Sequence, residues 1–305
     1  MRVALAQIAP VSLDRSATLE KVVAAVHEAA NRGAELVLFG ESVVTTYPWW
    51  VGRTGQPGFG WDEQRALFAR YLDQAIDLER GHLDPVRDAA RTRSIAVVLG
   101  GAETSSRRGR SVFCAAFSIA ASGDLVAHHR KLVPTHEERM VWAQGDAHGL
   151  RTHRVGPFVV GALNCWENWM PLARAALSAQ GETLHLALWP GRRANTEDIT
   201  RFAAIEGRSY VMSGSSVVRR ADLPADLQRR VEDDLILDGG AAIAAPDGTW
   251  VIEPIVGEER VAVADLDPSV VDRARHNFDP AGHYARPEML RLGVDRRRPG
   301  TELVD

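Results

Sequence analysis

The sequence contains few cysteines, no long apolar run and no excess of charge of one sign. Cys114 and Cys165 are the only cysteines in 305 residues. Two cysteines are too few for the disulfide framework of a small secreted protein, which favours a reducing, cytoplasmic compartment. No segment reaches the roughly 18 consecutive apolar residues that a transmembrane helix needs, so no membrane span is expected.

The charge balance excludes further classes of protein. Lysine and arginine number 36 against 40 aspartate and glutamate residues, which gives a net charge of −4. Proteins that bind nucleic acids or anionic membranes usually carry a basic surface, so neither partner is expected here. The expected partner is a small molecule or another protein.

The composition and the residue pattern predict one large α/β domain. Hydrophobic residues make up 45 % of the chain and charged residues 25 %, the proportions of a globular protein. We find no linker, repeat or low-complexity tract, and therefore predict a single domain over residues 1–290 and a tail over residues 291–305. The apolar run at residues 3–8 is followed by Pro10, which is typical of a first strand rather than a signal peptide.

Strand and helix patterns alternate along the first half of the chain and later double into hairpins. Helices are predicted at residues 16–32, 61–93, 169–180 and 196–207. Strands are predicted at residues 3–8, 36–39, 95–101, 111–119, 125–129, 155–163, 183–188, 210–218, 239–245, 250–254 and 260–265. The charged stretches 105–110 and 219–234 are expected to be solvated loops. This order favours mixed sheets covered by helices.

The strongest local candidate for chemistry is Cys165, in the segment Leu163-Asn-Cys165-Trp-Glu-Asn-Trp169. A buried strand is predicted to end there and a helix to begin, which would present the sulfur at the edge of a sheet. The positive end of the helix would favour the thiolate, so Cys165 is a candidate nucleophile. The alternative is a small buried residue. For Cys114, which lies inside an apolar strand, that structural role is the prediction.

Two charged side chains also follow predicted strands. Glu41 comes directly after the second strand, and Lys131 follows the second strand of a hairpin. A carboxylate can serve as a general base for a cysteine, and an ammonium group can stabilise developing negative charge. Taken singly, each is more typical of a solvated surface charge at a strand end.

Together, the three segments resemble the Glu-Lys-Cys motifs of the nitrilase superfamily. Lys131 follows Glu41 by 90 residues and Cys165 follows Lys131 by 34, in the order and spacing of that family's triad. The resemblance extends from Val3 to about Glu288. Cys165-Trp-Glu-Asn, the segment from Lys131 to Trp142 and the segment from Asp279 to Glu288 are similar to the nitrilase branch.

The resemblance implies an αββα sandwich, in which two mixed sheets pack face to face with helices outside. It implies that Glu41 is the general base, Lys131 the charge stabiliser and Cys165 the nucleophile, with the backbone N–H of Trp166 completing the oxyanion site. Glu138 matches the family's second glutamate, which would hold Lys131. Members of the family pair across their outer helices, so a homo-oligomer is expected.

The sequence departs from the family at two places. Gly40 stands where a proline commonly precedes the glutamate, and the chain is short after Pro287. A short tail favours a dimer or a small multiple of it over a long filament.

No metal or cofactor is required, because side chains supply the nucleophile, the base and the charge stabiliser. His128 and His129 are adjacent in a predicted strand and would point to opposite faces, and no His-Glu-x-x-His or paired Cys-x-x-Cys spacing occurs.

Aromatic residues near the three motifs are candidates for the substrate pocket. Tyr47 and Trp49 follow Glu41, Trp166 follows the nucleophile, and Trp189 follows a strand. Such rings would suit aryl or arylaliphatic nitriles, although aliphatic nitriles are not excluded, and the rings could instead fill the core.

The predicted function is hydrolysis of a nitrile to a carboxylic acid and ammonia. The alternatives are an amidase or carbamoylase with the same triad, or a cyanide-hydrolysing enzyme. A non-catalytic scaffold is disfavoured, because it would have little reason to hold Glu41, Lys131, Cys165 and Glu138 together.

Overall fold

The computed structural model describes residues 1–53, 58–104 and 110–298, and within them thirteen strands form two mixed sheets. The strands are β1 (Arg2–Gln7), β2 (Leu36–Leu38), β3 (Ala96–Glu103), β4 (Phe113–Ile119), β5 (Leu125–Arg130), β6 (His153–Val155), β7 (Phe158–Asn164), β8 (Leu184–Leu188), β9 (Tyr210–Gly214), β10 (Val217–Arg219), β11 (Leu235–Ala244), β12 (Trp250–Val256) and β13 (Arg260–Asp265). The helices are α1 (Arg15–Asn31), α2 (Asp62–Gln74), α3 (Asp84–Arg93), α4 (Pro171–Ser178), α5 (Arg193–Gly207), α6 (Ala225–Gln228) and α7 (Pro268–Arg275).

The first sheet has the strand order β13-β1-β2-β3-β4-β5. Its strands β1, β2 and β3 are parallel, whereas β13, β4 and β5 run antiparallel to their neighbours. The second sheet has the order β10-β11-β9-β8-β7-β6, with β12 paired to β11. There β7, β8 and β9 are parallel. Both sheets are therefore mixed, as the alternating and doubled patterns indicate.

The alternation of side chains along each strand builds the layers. In β2, Leu36 and Leu38 belong to a core cluster shared with Leu186 and Met212 of the second sheet. Val37, between them, belongs instead to the cluster under α1 and α3. Helix α5 covers the outer face of the second sheet through a cluster that includes Ile199, Ala203 and Val211. The arrangement is an αββα sandwich, and the predicted fold is confirmed.

Four predicted elements differ from the structure. Residues 61–93 form two helices, because the chain between them pairs Ile76 with Glu103 and turns at Gly81, whose φ is 71°. The strand predicted at residues 155–163 contains the end of β6 and most of β7, which pair as a hairpin that turns at Gly156 with a φ of 54°. Residues 210–218 form two strands, since the Ser216 N–H donates to Pro190 rather than continuing the ladder.

The fourth difference lies at Cys165, the predicted nucleophile. The helix predicted at 169–180 is α4, which begins only at Pro171, and residues Cys165–Trp169 form a 3₁₀ turn. Helix α7 was not predicted, and the short α6 lies in a stretch predicted to be a loop. Residues 105–109 of the other charged stretch, and residues 299–305 of the tail, lie outside the described residues.

No helix of the described residues has the length and apolar character required to cross a membrane.

Candidate active site

Glu41 lies just beyond the end of β2, where the first sheet meets the second. Its backbone N–H donates to the Trp189 carbonyl at 2.9 Å, which ties the loop after β2 to the loop after β8. Gly100 of the neighbouring strand makes room for this loop, because a Cβ there would lie 2.5 Å from Ser42 N and 2.7 Å from Glu41 Cα. A side chain at position 100 would therefore displace Glu41.

The packing around position 40 explains why a glycine stands there. A Cβ at this position would lie 2.8 Å from the Trp189 carbonyl oxygen and 2.8 Å from the backbone of Ser215. A proline, which is common in the family at this position, would require those segments to move apart.

Lys131 follows β5 directly and is held by its backbone. Its N–H donates to the Cys114 carbonyl at 2.8 Å, and its carbonyl accepts from the Gly145 N–H at 2.8 Å. The side chain is fully buried. The lysine is therefore an internal charge and not a surface residue at a strand end.

Glu138 belongs to a 3₁₀ turn at His136–Met140 that follows the Lys131 segment. Its carboxylate accepts the Thr135 N–H at 2.7 Å, one half of a capping box at the start of the turn. The same oxygen, Oε2, lies 2.6 Å from Lys131 Nζ. The turn thus aims a buried carboxylate at the ammonium group. Glu137 is by contrast partly exposed and pairs with His136.

Cys165 stands at a sharp change of direction. Strand β7 ends at Asn164, and Cys165 has a φ of 50°, a backbone conformation that residues other than glycine rarely adopt. The Asn168 side chain donates to the Cys165 carbonyl at 2.8 Å and holds the turn. The sulfur is buried and faces the Trp166 N–H.

The four side chains meet at one point. One carboxylate oxygen of Glu41, one of Glu138 and the sulfur of Cys165 all lie within 4.8 Å of one another. Lys131 Nζ is 3.0 Å from Glu41 Oε1 and 2.6 Å from Glu138 Oε2. The two carboxylates therefore share the Lys131 ammonium group as their cation. Two carboxylates and a thiol are also groups that can bind a metal ion.

Burial and charge set the protonation states. Burial raises the pKa of Glu41 to about 7, although Lys131 opposes the shift. Burial also raises the pKa of the Cys165 thiol well above its usual value, and the charges of Glu41 and Glu138 add to the effect against Lys131. The pKa of Lys131 is raised despite burial, because the cysteines and carboxylates around it favour the ammonium form.

These states correct one prediction. The end of a helix was expected to favour the thiolate of Cys165, but the element that begins at Cys165 is a 3₁₀ turn of five residues, and burial favours the thiol. Cys165 therefore needs a base, and Glu41 has a pKa suited to that task near neutral pH.

The predicted aromatic residues occupy different places. Trp189 is buried in the cluster that contains Cys165, and its indole N–H has no hydrogen-bond partner among the described residues. Tyr47 is largely buried, and the charges of Glu138, Glu41 and Cys165 add to burial in raising the pKa of its hydroxyl. Both side chains lie near the cluster of Glu41, Glu138 and Cys165.

Trp49 and Trp166 are placed differently. Trp49 belongs to a core cluster with Tyr71 and Trp142, not to the cluster around Cys165. The Trp166 ring is 43 % exposed and stacks on Trp169 at 6.3 Å, so only its backbone N–H faces the sulfur.

Two residues near the site were missed as participants. The Trp142 ring lies 5.4 Å from Lys131 Nζ and edge-on to Tyr47 at 5.8 Å. The thiol of Cys114 interacts with the Glu41 carboxylate, which lowers the pKa of Glu41 and raises that of Cys114. Trp142 could have been found from the sequence, because it ends the family-like segment that begins at Lys131. No sequence pattern indicates that Cys114 lies near Glu41.

Comparisons with known proteins agree with this geometry. The sequence profile of the carbon-nitrogen hydrolase family matches residues 2–276. An aliphatic nitrilase from Sinorhizobium fredii is 35 % identical over 297 residues, covering 96 % of this chain and 95 % of that protein. The chain belongs to the carbon-nitrogen hydrolase family.

Other relatives agree in sequence and fold. A nitrilase from Pseudomonas syringae is 34 % identical, with 96 % of this chain and 89 % of that protein covered. Among solved structures, an amidase from Nesterenkonia sp. AN1 superposes with a TM-score of 0.66 at 19 % identity, covering 91 % of this chain and 97 % of that one. The amidase shares the fold.

Proposed function

We propose that the protein is a nitrilase, which hydrolyses an organic nitrile to the carboxylic acid and ammonia through a thioimidate on Cys165. The observation that carries the proposal is the buried cluster in which a thiol, two carboxylates and an ammonium group converge. It is supported by the similarity to nitrilases over nearly the whole chain.

The first step forms the carbon–sulfur bond. Glu41 takes the proton of the Cys165 thiol, and the sulfur attacks the nitrile carbon. Negative charge develops on the nitrile nitrogen, where the Lys131 ammonium and the Trp166 N–H can stabilise it. The proton held by Glu41 then passes to this nitrogen, which gives a neutral thioimidate.

Two water molecules complete the reaction. The first, deprotonated by Glu41, adds to the thioimidate carbon and gives a tetrahedral centre that bears an amino group. Protonation of that nitrogen expels ammonia and leaves a thioester. A second water hydrolyses the thioester to the acid and restores the thiol. Glu138 would hold Lys131 in place and share in the proton transfers.

The nearest alternative is an amidase or carbamoylase that uses the same residues on a carbon–nitrogen single bond, and a cyanide-hydrolysing enzyme is a further one. The deciding experiment incubates the purified chain separately with aliphatic and aromatic nitriles and with the matching amides, and measures ammonia. Nitrile turnover that exceeds amide turnover supports the proposal. Amide hydrolysis with no nitrile turnover would assign the chain to the amidase reaction.

The substrate would lie against Tyr47, Trp142 and Trp189. The proposal rests on the largely buried ring of Tyr47, the position of Trp142 beside Lys131 and the unpartnered indole N–H of Trp189. Trp49 belongs to the same core cluster as Trp142 but is not in the cluster around Cys165, and we assign it to support of this wall. Replacing Trp142 with leucine should change the order of preference among the nitriles more than replacing Trp49.

We also propose that residues 1–290 act as one catalytic domain and that the protein is a cytoplasmic homo-oligomer. An exposed aromatic row formed by Trp166, Trp169 and Phe202 supports the oligomer, because its rings stack at 6.3 and 6.4 Å and are 41–48 % exposed. An exposed row of this kind, on the turn after β7 and on α5, is suited to a second copy of the chain.

The oligomer has its own test. Phe202→Lys should reduce the mass measured by sedimentation, whereas Leu235→Lys, at a similarly exposed residue outside the row, should leave it unchanged. Equal masses for all three proteins would contradict the proposed interface.

A further inference from the structure

A single buried carboxylate connects the two segments that carry the ammonium group and the thiol. Glu167 Oε1 accepts the Leu132 N–H at 2.5 Å, and Leu132 directly follows Lys131. Glu167 Oε2 accepts the Asn164 N–H at 2.8 Å, and Asn164 directly precedes Cys165. The carboxylate therefore touches the backbone next to both residues without contacting the reacting groups themselves.

His129 is the third partner of this carboxylate. Its Nε2 lies 3.0 Å from Glu167 Oε2 and 3.2 Å from Oε1, and both side chains are buried. Burial would raise the pKa of Glu167, but His129 and the two backbone N–H groups hold it below its usual value. Glu167 is therefore an internal anion with three hydrogen-bond donors.

The position of Glu167 matters because Lys131 and Cys165 belong to different sheets. Lys131 follows β5 of the first sheet and Cys165 follows β7 of the second. A hydrogen-bonded ladder fixes the register of residues within one sheet, whereas packing between sheets depends on side chains. A bond that spans the two strand ends can set the separation directly.

We propose that Glu167 is a positioning residue that fixes the distance between the Lys131 ammonium and the Cys165 thiol. The proposal rests on the roles assigned above to those two groups. Glu167, two residues after Cys165, would hold the two segments in place, and His129 would hold the Glu167 carboxylate.

The test is Glu167→Gln, which keeps the shape of the side chain. Glutamine has one acceptor oxygen and an NH₂ group in place of the second. Either the Leu132 N–H or the Asn164 N–H would therefore face the NH₂ group, and its hydrogen bond to residue 167 would be lost. A displacement of the order of 1 Å near reacting groups costs about a hundredfold in rate. We expect kcat to fall about tenfold to a hundredfold while KM stays within about threefold.

The matched control is Glu103→Gln. Glu103 is also a buried carboxylate, but its partners are the side chains of Arg130 and His128 and not backbone beside the nucleophile. It should destabilise the fold at least as much, since it breaks a buried ion pair. Its kcat should stay within about threefold of the wild type when both are assayed well below their unfolding temperatures.

A second pair of variants is informative even if Glu167→Gln folds poorly. His129→Gln keeps a donor for Glu167, whereas His129→Leu removes it and leaves the carboxylate less well held. The glutamine variant should retain several-fold more kcat than the leucine variant. Equal kcat for the two would contradict the proposal.

A separate measurement does not depend on the identity of the substrate. Alkylation of Cys165 by iodoacetamide, followed by mass spectrometry, should be about tenfold slower in Glu167→Gln than in Glu103→Gln, because a thiol displaced from the Lys131 ammonium forms its thiolate less readily. Equal rates would overturn the positioning role. If the wild type hydrolyses no nitrile but Glu167→Gln is still alkylated more slowly than Glu103→Gln, the positioning role stands while the proposed function fails.

Discussion

Glu138 Oε2 accepts a 2.6 Å hydrogen bond from Lys131 Nζ, and both side chains are buried. Lys131 also lies 3.0 Å from Glu41, so one ammonium group serves two carboxylates. The cluster keeps a net negative charge when both carboxylates are ionised. That charge can hold the departing nitrogen in its protonated form.

Replacing Glu138 with glutamine should therefore change the product as well as the rate. The tetrahedral centre can expel ammonia, which gives acid, or the cysteine sulfur, which gives amide. Without the Glu138 charge the nitrogen is protonated less readily, so turnover should slow and the amide share should rise. The acid-to-amide ratio is measured by chromatography on a nitrile that the wild type accepts. An unchanged ratio at an unchanged rate would remove Glu138 from the site.

Replacing Lys131 with glutamine should lower kcat/KM at least about a hundredfold, or about 2.7 kcal/mol, the scale for losing one charge stabiliser. Lys131→Arg should not restore activity, because a planar guanidinium does not fit between two carboxylates spaced for a compact ammonium. Arg139→Gln, which changes a nearby cation whose Nε donates to the Pro134 carbonyl, serves as the control. Near-normal kinetics for Lys131→Arg would contradict the assigned role.

The acidic limb of the pH–rate profile should report Glu41. Its pKa is about 7 and its active form is the carboxylate, so kcat/KM should rise as the pH increases through about 7. Glu41→Gln should lower the rate at least about a hundredfold and abolish this limb. A limb near pH 4 to 5, the range of an unperturbed glutamate, would contradict a buried base.

The Cys114 thiol provides a finer test of the same limb. Its interaction lowers the pKa of Glu41, so Cys114→Ala should raise that pKa and move the limb to higher pH while the activity at the optimum is retained. Cys114→Ser, which keeps a donor, should lie closer to the wild type. The pH dependence of kcat/KM for the three proteins is the measurement, and identical profiles would show that Cys114 has no influence on the base.

The residues proposed to react were predictable from the sequence because each follows a strand and lies in a recognisable segment. Glu41, Lys131 and Cys165 lie just beyond β2, β5 and β7, close to the ends that the apolar patterns predict. The αββα layers were accessible for a similar reason, since strand alternation and family motifs point to the same architecture.

Other features depend on contacts that leave no local pattern. The split of residues 61–93 depends on the pairing of Ile76 with Glu103, far along the chain. The thiol state of Cys165 depends on its burial among charges from other segments. Trp49 and Trp189 look alike in sequence, and only packing assigns them to different clusters.

The most direct measurement of the central claim is the mass of the intact protein after an acid quench during turnover of a nitrile, followed by peptide mapping. The account predicts a covalent adduct, with the mass of the thioimidate or the thioester, on the peptide that contains Cys165 and none on the peptide that contains Cys114. The Cys165→Ala protein should fold normally, form no adduct and show no turnover. Turnover that persists in Cys165→Ala, or an adduct on Cys114, would contradict the account.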